Sequence, residues 1–179
     1  MSAYKKLEKL FIELNHINHV AAITGWDEAV NMPVGGGEAR AQALAYLADL
    51  QHSKLTTSQA LEWTKLVAEE ELKDPWQKSN LKLITKQVKD AQCIPPKLVS
   101  KLSLAKSKAE QAWRRLRPTN DWQAFKPLLK EVIELCKEEA HLRADSTGLS
   151  AYDALIDQYS SGLTQKIIKI GRASCRERV

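Results

Sequence analysis

The sequence contains no HExxH and no CxxC, the compact spacings from which one helix or one loop supplies two ligands of a zinc site. No run of eighteen apolar residues occurs, which excludes a helix able to span a bilayer. Glycine (7) and proline (6) are scarce among 179 residues, and no segment alternates polar and apolar residues as a half-buried strand does. There is no internal repeat and no low-complexity tract. The three cysteines, Cys93, Cys136 and Cys175, lack paired spacing, and an odd, sparse count fits a reducing compartment rather than a disulfide framework. The opening MSAYKKLEKLF has neither an apolar run nor a small-residue cleavage site, so a secretory signal is excluded and a cytoplasmic protein is expected.

Net charge is also modest, at +5. Part of it lies in IGRASCRERV, which breaks the pattern of everything before it and reads like a translated sequencing adapter. We expect residues 1–169 to form one helical region, incomplete as a domain, and residues 170–179 to be a non-native tail. Without Arg172, Arg176, Arg178 and Glu177 the charge is about +3, too small to specify a partner.

What is abundant is Leu, Ala, Lys and Glu in helical spacing, and the fold class this predicts is all-α: a bundle of about six to eight amphipathic helices in hairpins. A first helix is expected over residues 2–25, capped by Ser2, with Leu7, Leu10, Phe11, Leu14, Ile17 and Ala21 in one stripe. The stretch GWDEAVNMPVGGGEARAQAL then forms an elbow. Pro33 disfavours helix at Met32, Gly35, Gly36 and Gly37 let the chain turn, and the first helix should stop near Trp26.

A second helix should start near Glu38 and run over residues 40–52, with Ala41, Leu44, Ala45, Leu47 and Ala48 inward. Thr56 with Gln59 fits a capping box for a third, burying Leu61, Thr64, Val67, Ala68 and Leu72. Asp74-Pro75 starts a fourth, burying Leu81, Ile84, Val88 and Ala91. In the fifth, opened by Ile94-Pro95-Pro96, the heptad Leu98, Leu102, Ala105, Ala109, Ala112, Leu116 predicts nearly antiparallel packing on a neighbour. Asn120 with Gln123 should cap a sixth, irregular at its start because of Pro127 and ended by Thr147-Gly148. Ser150 with Asp153 opens a short helix over residues 152–158, Gly162 breaks it, and Thr164 starts another.

Each polar constellation has a structural reading beside a chemical one. His16 and His19 sit one helical turn apart, but without further ligands they are structural or surface histidines, as are the isolated His52 and His141. The glycine triplet precedes a helix as a phosphate cradle does, yet no strand precedes it and no Lys-Ser/Thr follows. Asp27 and Arg40 flank the elbow; the carboxylate can accept backbone N–H groups or meet Arg40 in a two-pronged pair, and a structural clamp is favoured over catalysis. Lys97, Lys101, Lys106, Lys108, Arg114, Arg115 and Arg117 make the fifth helix basic. Glu110 and Glu69, Glu70, Glu71 dilute that field, so a solvated face is favoured over nucleic-acid binding. The five tryptophans read as packing anchors, and Cys93 and Cys136 as buried thiols.

Several of these segments, in this order, carry a resemblance. Trp26-Asp27, Met32-Pro33, Gly35-Gly36, Arg40 and Gln42 in WDEAVNMPVGGGEARAQALAYLADLQH resemble the N-terminal signature of the carboxypeptidase Taq family of zinc metallocarboxypeptidases. The similarity continues in register through Ile94-Pro95-Pro96-Lys97-Leu98-Val99, Ala112-Trp113, Asn120-Asp121-Trp122, Phe125, Pro127-Leu128 and Tyr152-Asp153-Ala154-Leu155-Ile156-Asp157-Gln158-Tyr159. It departs at Ser160-Ser161-Gly162-Leu163-Thr164, where the family usually has Glu-Pro-Gly-Met-Thr.

The resemblance implies a cleft-shaped, mostly helical exopeptidase that removes C-terminal residues from peptide substrates, with zinc or another divalent metal as cofactor and often a homodimer. The family's metal ligands and general-base glutamate have no counterpart in this sequence, so no catalytic residue and no metal ligand carries over. The expectation is an N-terminal fragment that walls one side of the cleft, binds no metal and is inactive alone. Trp26, Asp27, Met32, Pro33, Arg40, Gln42, Trp113, Tyr152 and Asp153 would be structural or cleft-wall residues. The rival readings are a free-standing helical interaction module and, more weakly, a basic nucleic-acid binder. No nucleic acid and no membrane is the expectation.

Overall fold

A computed structural model describes residues 1–168 of the chain, so the proposed tail at 170–179 lies outside the described residues. The backbone is helical, with no strand among the described residues. Its contacts group into two units, residues 1–132 and 133–179.

In the first unit, α1 (Ala3–Val30) is capped as expected: Ser2 Oγ accepts from the Lys5 N–H at 3.3 Å. A second cap comes from far along the chain, where the Glu70 carboxylate accepts from the N–H groups of Ala3 (2.5 Å) and Tyr4 (3.3 Å). Three of the four N–H groups that a helix start leaves without partners are thus satisfied. The helix does not stop near Trp26. It runs through Gly25, Trp26 and Asp27 until the N–H groups of Asn31 and Met32 both close on the Asp27 carbonyl at 2.9 Å. One interior glycine costs only about 1 kcal/mol, and Pro33 restricts Met32 alone, so neither ends the helix early.

The glycines do not form a freely turning loop either. Val34–Gly36 is a 3₁₀ turn, and α2 (Gly37–Leu55) begins at Gly37 with ordinary helical angles, one residue before the expected start near Glu38. Glycine lets neighbouring side chains pack close here. A Cβ at Gly36 would lie 2.9 Å from Met32 Cγ, and one at Gly37 would overlap the amide end of Gln111.

α3 (Ser58–Leu66) is capped by Thr57, whose Oγ1 accepts from the Ala60 N–H at 3.2 Å. Thr56, the expected cap, instead donates back to the His52 carbonyl at 2.9 Å and closes α2. A 3₁₀ turn, Val67–Glu69, follows and leaves Ala68 exposed, contrary to its predicted burial, because the tighter turn breaks the 3.6-residue stripe. α4 (Pro75–Gln92) starts on Asp74, which accepts from the Trp76 N–H at 2.9 Å, and buries Ile84 and Val88. α5 (Pro96–Leu116) buries Leu98, Leu102, Ala105, Ala109 and Ala112, the predicted seam. The core cluster of this unit is Ala3, Tyr4, Leu7, Val67 and Ile84, with Phe11, Trp63, Leu72 and Leu81 against it.

α6 (Trp122–Thr147) is capped by Asp121, which accepts from the Ala124 N–H at 3.0 Å. Asn120 cannot do so because it occupies the left-handed region at φ 53°. Pro127 lies inside the continuous helix, where it removes a donor. The half of α6 in the second unit pairs buried Glu139 with Arg143 through two guanidinium nitrogens, at 2.9 and 2.8 Å. Gly148, at φ 73°, ends it. α7 (Ala151–Ile156), shorter than expected, opens on a reciprocal cap. Ser150 Oγ accepts from the Asp153 N–H at 3.1 Å and donates to the Asp153 carboxylate at 2.8 Å. Asp153 also accepts from the Gln165 N–H at 2.6 Å. That contact, with Ser150 second, holds its carboxyl below the usual aspartate value. Helical backbone resumes at 165–168, after Thr164.

The tryptophans depart most from expectation. Only Trp63 packs on the core; Trp26, Trp76, Trp113 and Trp122 are exposed. Cys93 and Cys136 are half-buried rather than buried.

Candidate functional site

Three helices converge at the elbow. α1 and α2 run antiparallel, as the pairs Glu13–Lys54 (2.9 Å), Asn18–Gln51 and Asp27–Arg40 show by rising along one helix and falling along the other. α2 and α5 are antiparallel as well: Gly37 at the start of α2 meets Gln111, and His52 near its end meets Ile94 ahead of α5. Alanines at 41, 45, 105, 109 and 112 are all buried, which lets those two backbones come close. The end of α1, the start of α2 and the second half of α5 therefore form one joint.

The joint is built on a carboxyl group that pattern reading passed over. Glu28 is 8% exposed, and its Oε1 accepts from Ser107 Oγ at 2.6 Å and Gln111 Nε2 at 2.8 Å. The same Gln111 amide lies 3.1 Å from the Gly37 carbonyl, tying α5 to the first residue of α2. Arg114 Nη1 donates to the carbonyls of Glu28 (3.1 Å) and Ala29 (2.9 Å), placing a cation on the C-terminal carbonyls of α1. Its Nη2 reaches Glu110 at 2.6 Å, so part of the basic face of α5 is already committed. Beside this lies the Asp27–Arg40 ion pair, made through Nη2 alone. It is not the two-pronged contact expected, and Arg40 Nε is buried without a partner. The one hydroxyl set against a carboxylate, Ser107 on Glu28, is buried with it, and the joint is a clasp.

The other signature residues are distributed as follows. Met32 packs against the 3₁₀ turn, Pro33 caps that turn, and exposed Gln42 donates to Glu38 at 2.8 Å. Trp26 is 59% exposed. Trp113, with the Arg117 guanidinium 5.0 Å from its ring centroid, lines a cavity of about 180 Å³ with Leu116, Trp122 and Phe125 at the α5–α6 turn. In the second unit Tyr152 is exposed and Asp153 is the cap described above.

Glu28, Ser107, Gln111 and Glu70 were missed from sequence. One signal was available: Glu28 continues the seven-residue register of Leu7, Leu14 and Ala21, so a charged side chain falls on the buried row.

His52 is 6% exposed, and its Nε2 has no hydrogen-bond partner. Burial pushes the imidazole below its usual value, opposed by Asp49 and by a backbone hydrogen bond with Ile94. A histidine depressed in the folded state takes its proton in the unfolded state first. Stability is therefore complete above the unfolded value of about 6.5 and is lost as pH falls from there toward the folded value. We expect the thermal midpoint to fall between pH 7.5 and 5.5, and His52→Gln to flatten that slope. An unchanged slope in the variant would assign the effect elsewhere.

The family model described as "Carboxypeptidase Taq (M32) metallopeptidase" matches residues 6–176. "Thermostable carboxypeptidase 1" of Thermus thermophilus is 33% identical over 172 residues, covering 90% of this chain and 34% of that protein. Among solved structures, "Trypanosoma Cruzi Metallocarboxypeptidase 1" superposes with a TM-score of 0.77 at 31% identity, over 98% of this chain and 35% of that one. "BsuCP Crystal Structure" superposes at 0.87 and 25% identity, with the same coverage. The chain thus spans about a third of the length of these relatives. With the match covering nearly the whole sequence, the chain belongs to the carboxypeptidase Taq (M32) metallopeptidase family.

Proposed function

We propose that this chain is the helical N-terminal region of a metallocarboxypeptidase. In a complete family polypeptide it walls one side of the cleft in which C-terminal residues are hydrolysed from peptides. The observation that carries this reading is the superposition on BsuCP, 0.87 over 98% of the chain but only 35% of that protein. Zinc as the metal, a homodimer as the assembly and the cytoplasm as the location complete the proposal. The first two follow from the resemblance alone. The last is supported by sparse cysteines and by the absence, among the described residues, of a helix long and apolar enough to cross a membrane. Trp26, Asp27, Met32, Pro33, Arg40, Gln42, Trp113, Tyr152 and Asp153 take structural or cleft-wall roles.

The metal that the family implies does not fit the residues at hand. Among the described residues no three His, Cys, Asp or Glu side chains converge, and His16 and His19 stand exposed on α1. No step of hydrolysis is therefore assigned to this chain.

Purified alone, it is expected to bind no stoichiometric zinc and to release no amino acid from a peptide, as read by metal analysis and mass spectrometry. Chelator-sensitive release by the chain alone overturns that expectation. Substituted for the matching third of the Thermus relative, it is expected to support chelator-sensitive trimming from the peptide C-terminus. A folded, metal-loaded chimera that leaves peptides intact overturns the functional assignment.

A further inference from the structure

α1 carries two apolar rows. The inward one, Leu7, Leu14 and Ala21 with Glu28 in register, faces α2, α3 and α4, and at Glu28 it meets α5. Ile12, Val20, Ile23, Trp26 and Val30 form the other. At about 100° per residue this row points to the opposite side of the helix. Its members are 53, 51, 53, 59 and 62% exposed. His16, His19 and Asp27 interrupt it with ionisable side chains; the two histidines are exposed, and Asp27 is paired with Arg40. A helix that is apolar on two sides is a helix meant to be covered on two sides.

Three observations bear on the cover. The one carboxylate in the row, Asp27, is offset by Arg40, so the row has no net fixed charge, which fits an apolar protein surface and not an acidic partner. About two thirds of each relative's length lies outside what this chain matches. And Trp26, part of the signature through which the chain resembles its family, is 59% exposed, while its neighbour Asp27 is held by Arg40.

We propose that the outward row of α1, centred on Ile23 and Trp26, is the seat on which the remaining two thirds of a family polypeptide docks an apolar helical surface. The inference rests on the preceding reading of the chain as one region of a larger enzyme. Docking and activity are read separately, so either can fail without the other.

The test is thiol labelling of Ile23→Cys, followed peptide by peptide with mass spectrometry. In the chain alone the new thiol should react within a few-fold of its unfolded rate; in the Thermus chimera it should react about 100-fold more slowly. Peptide release by the same chimera reports the functional reading independently. Free labelling at position 23 in a folded chimera overturns the proposal, whether or not peptides are cut. If the chimera does not fold, the chain is mixed with the separately expressed remainder of the Thermus protein. A blue shift of tryptophan emission and protection at position 23 then support the proposal, and their absence overturns it. Sedimentation of the chain alone supplies the last arm. Monomer supports the assignment, whereas a dimer that Ile23→Asp dissociates makes a second copy the occupant and overturns it.

Discussion

Leu7→Ala is expected to lower the stability of the chain by about 3 kcal/mol, within the usual range for truncating a fully buried leucine. Leu7 has no solvent exposure and sits among Ala3, Tyr4, Val67 and Ile84, contributed by α1, the 3₁₀ turn after α3, and α4. Three separate pieces of chain close on this one side chain, so the cavity left behind cannot collapse without moving a helix. For a chain of this length the thermal midpoint should drop by about 6–12 °C. Leu83→Ala, on the exposed side of α4, removes the same atoms and should stay within about 0.5 kcal/mol of wild type. Equal effects from the two substitutions in calorimetry or urea titration would show that this cluster is not the core.

The second large effect is expected at the clasp. Gln111→Leu leaves the buried Glu28 carboxyl with Ser107 as its remaining side-chain donor and strips the Gly37 carbonyl of its contact with α5. An orphaned buried polar group costs about 1–3 kcal/mol. Adding Ser107→Ala should deepen the loss, because Oε1 then has neither donor. Adding Glu28→Leu on top should restore most of it, since removing every polar partner from a site is far less costly than removing one side. The triple variant therefore separates this network from simple packing. Failure of Glu28→Leu to rescue would mean that the carboxyl group is not what Gln111 and Ser107 serve.

These two sites differ in how far the sequence discloses them. The caps at Ser2, Asp74 and Ser150 were legible because donor and acceptor stand two or three residues apart, and the α5 seam was legible because its heptad repeats without interruption. Thr56 against Thr57, and Asn120 against Asp121, were missed by one residue. Each pair offers two equivalent cap side chains, and only the backbone angles decide between them. The end of α1 was misplaced because Gly25 and Trp26 resemble a stop, whereas the helix ends where its hydrogen bonds run out, on the Asp27 carbonyl. The register of Glu28 marked it as buried, but its pairing was beyond reach: Glu28 and Gln111 lie 83 positions apart, and nothing local to either announces the other. The tryptophans fail for a related reason. Size and apolarity say that such a side chain can be covered, but whether it is covered depends on what stands opposite. For Trp26, Trp113 and Trp122 nothing among the described residues covers them fully.

The packing of Gln111 over the first residue of α2 has a consequence for how this lineage can vary. A β-carbon at position 37 would occupy the volume now filled by the end of that amide, although the backbone angles there would accept any L-amino acid. What crowds position 37 is thus the end of a side chain 74 positions away and not its own conformation. Alanine there makes the Gln111 amide swing aside, giving up its contacts with the Gly37 carbonyl and Glu28, unless a shorter residue stands at 111. A homologue with a side chain at 37 should therefore keep the helix crossing but lose the bridge from 111 to the start of α2.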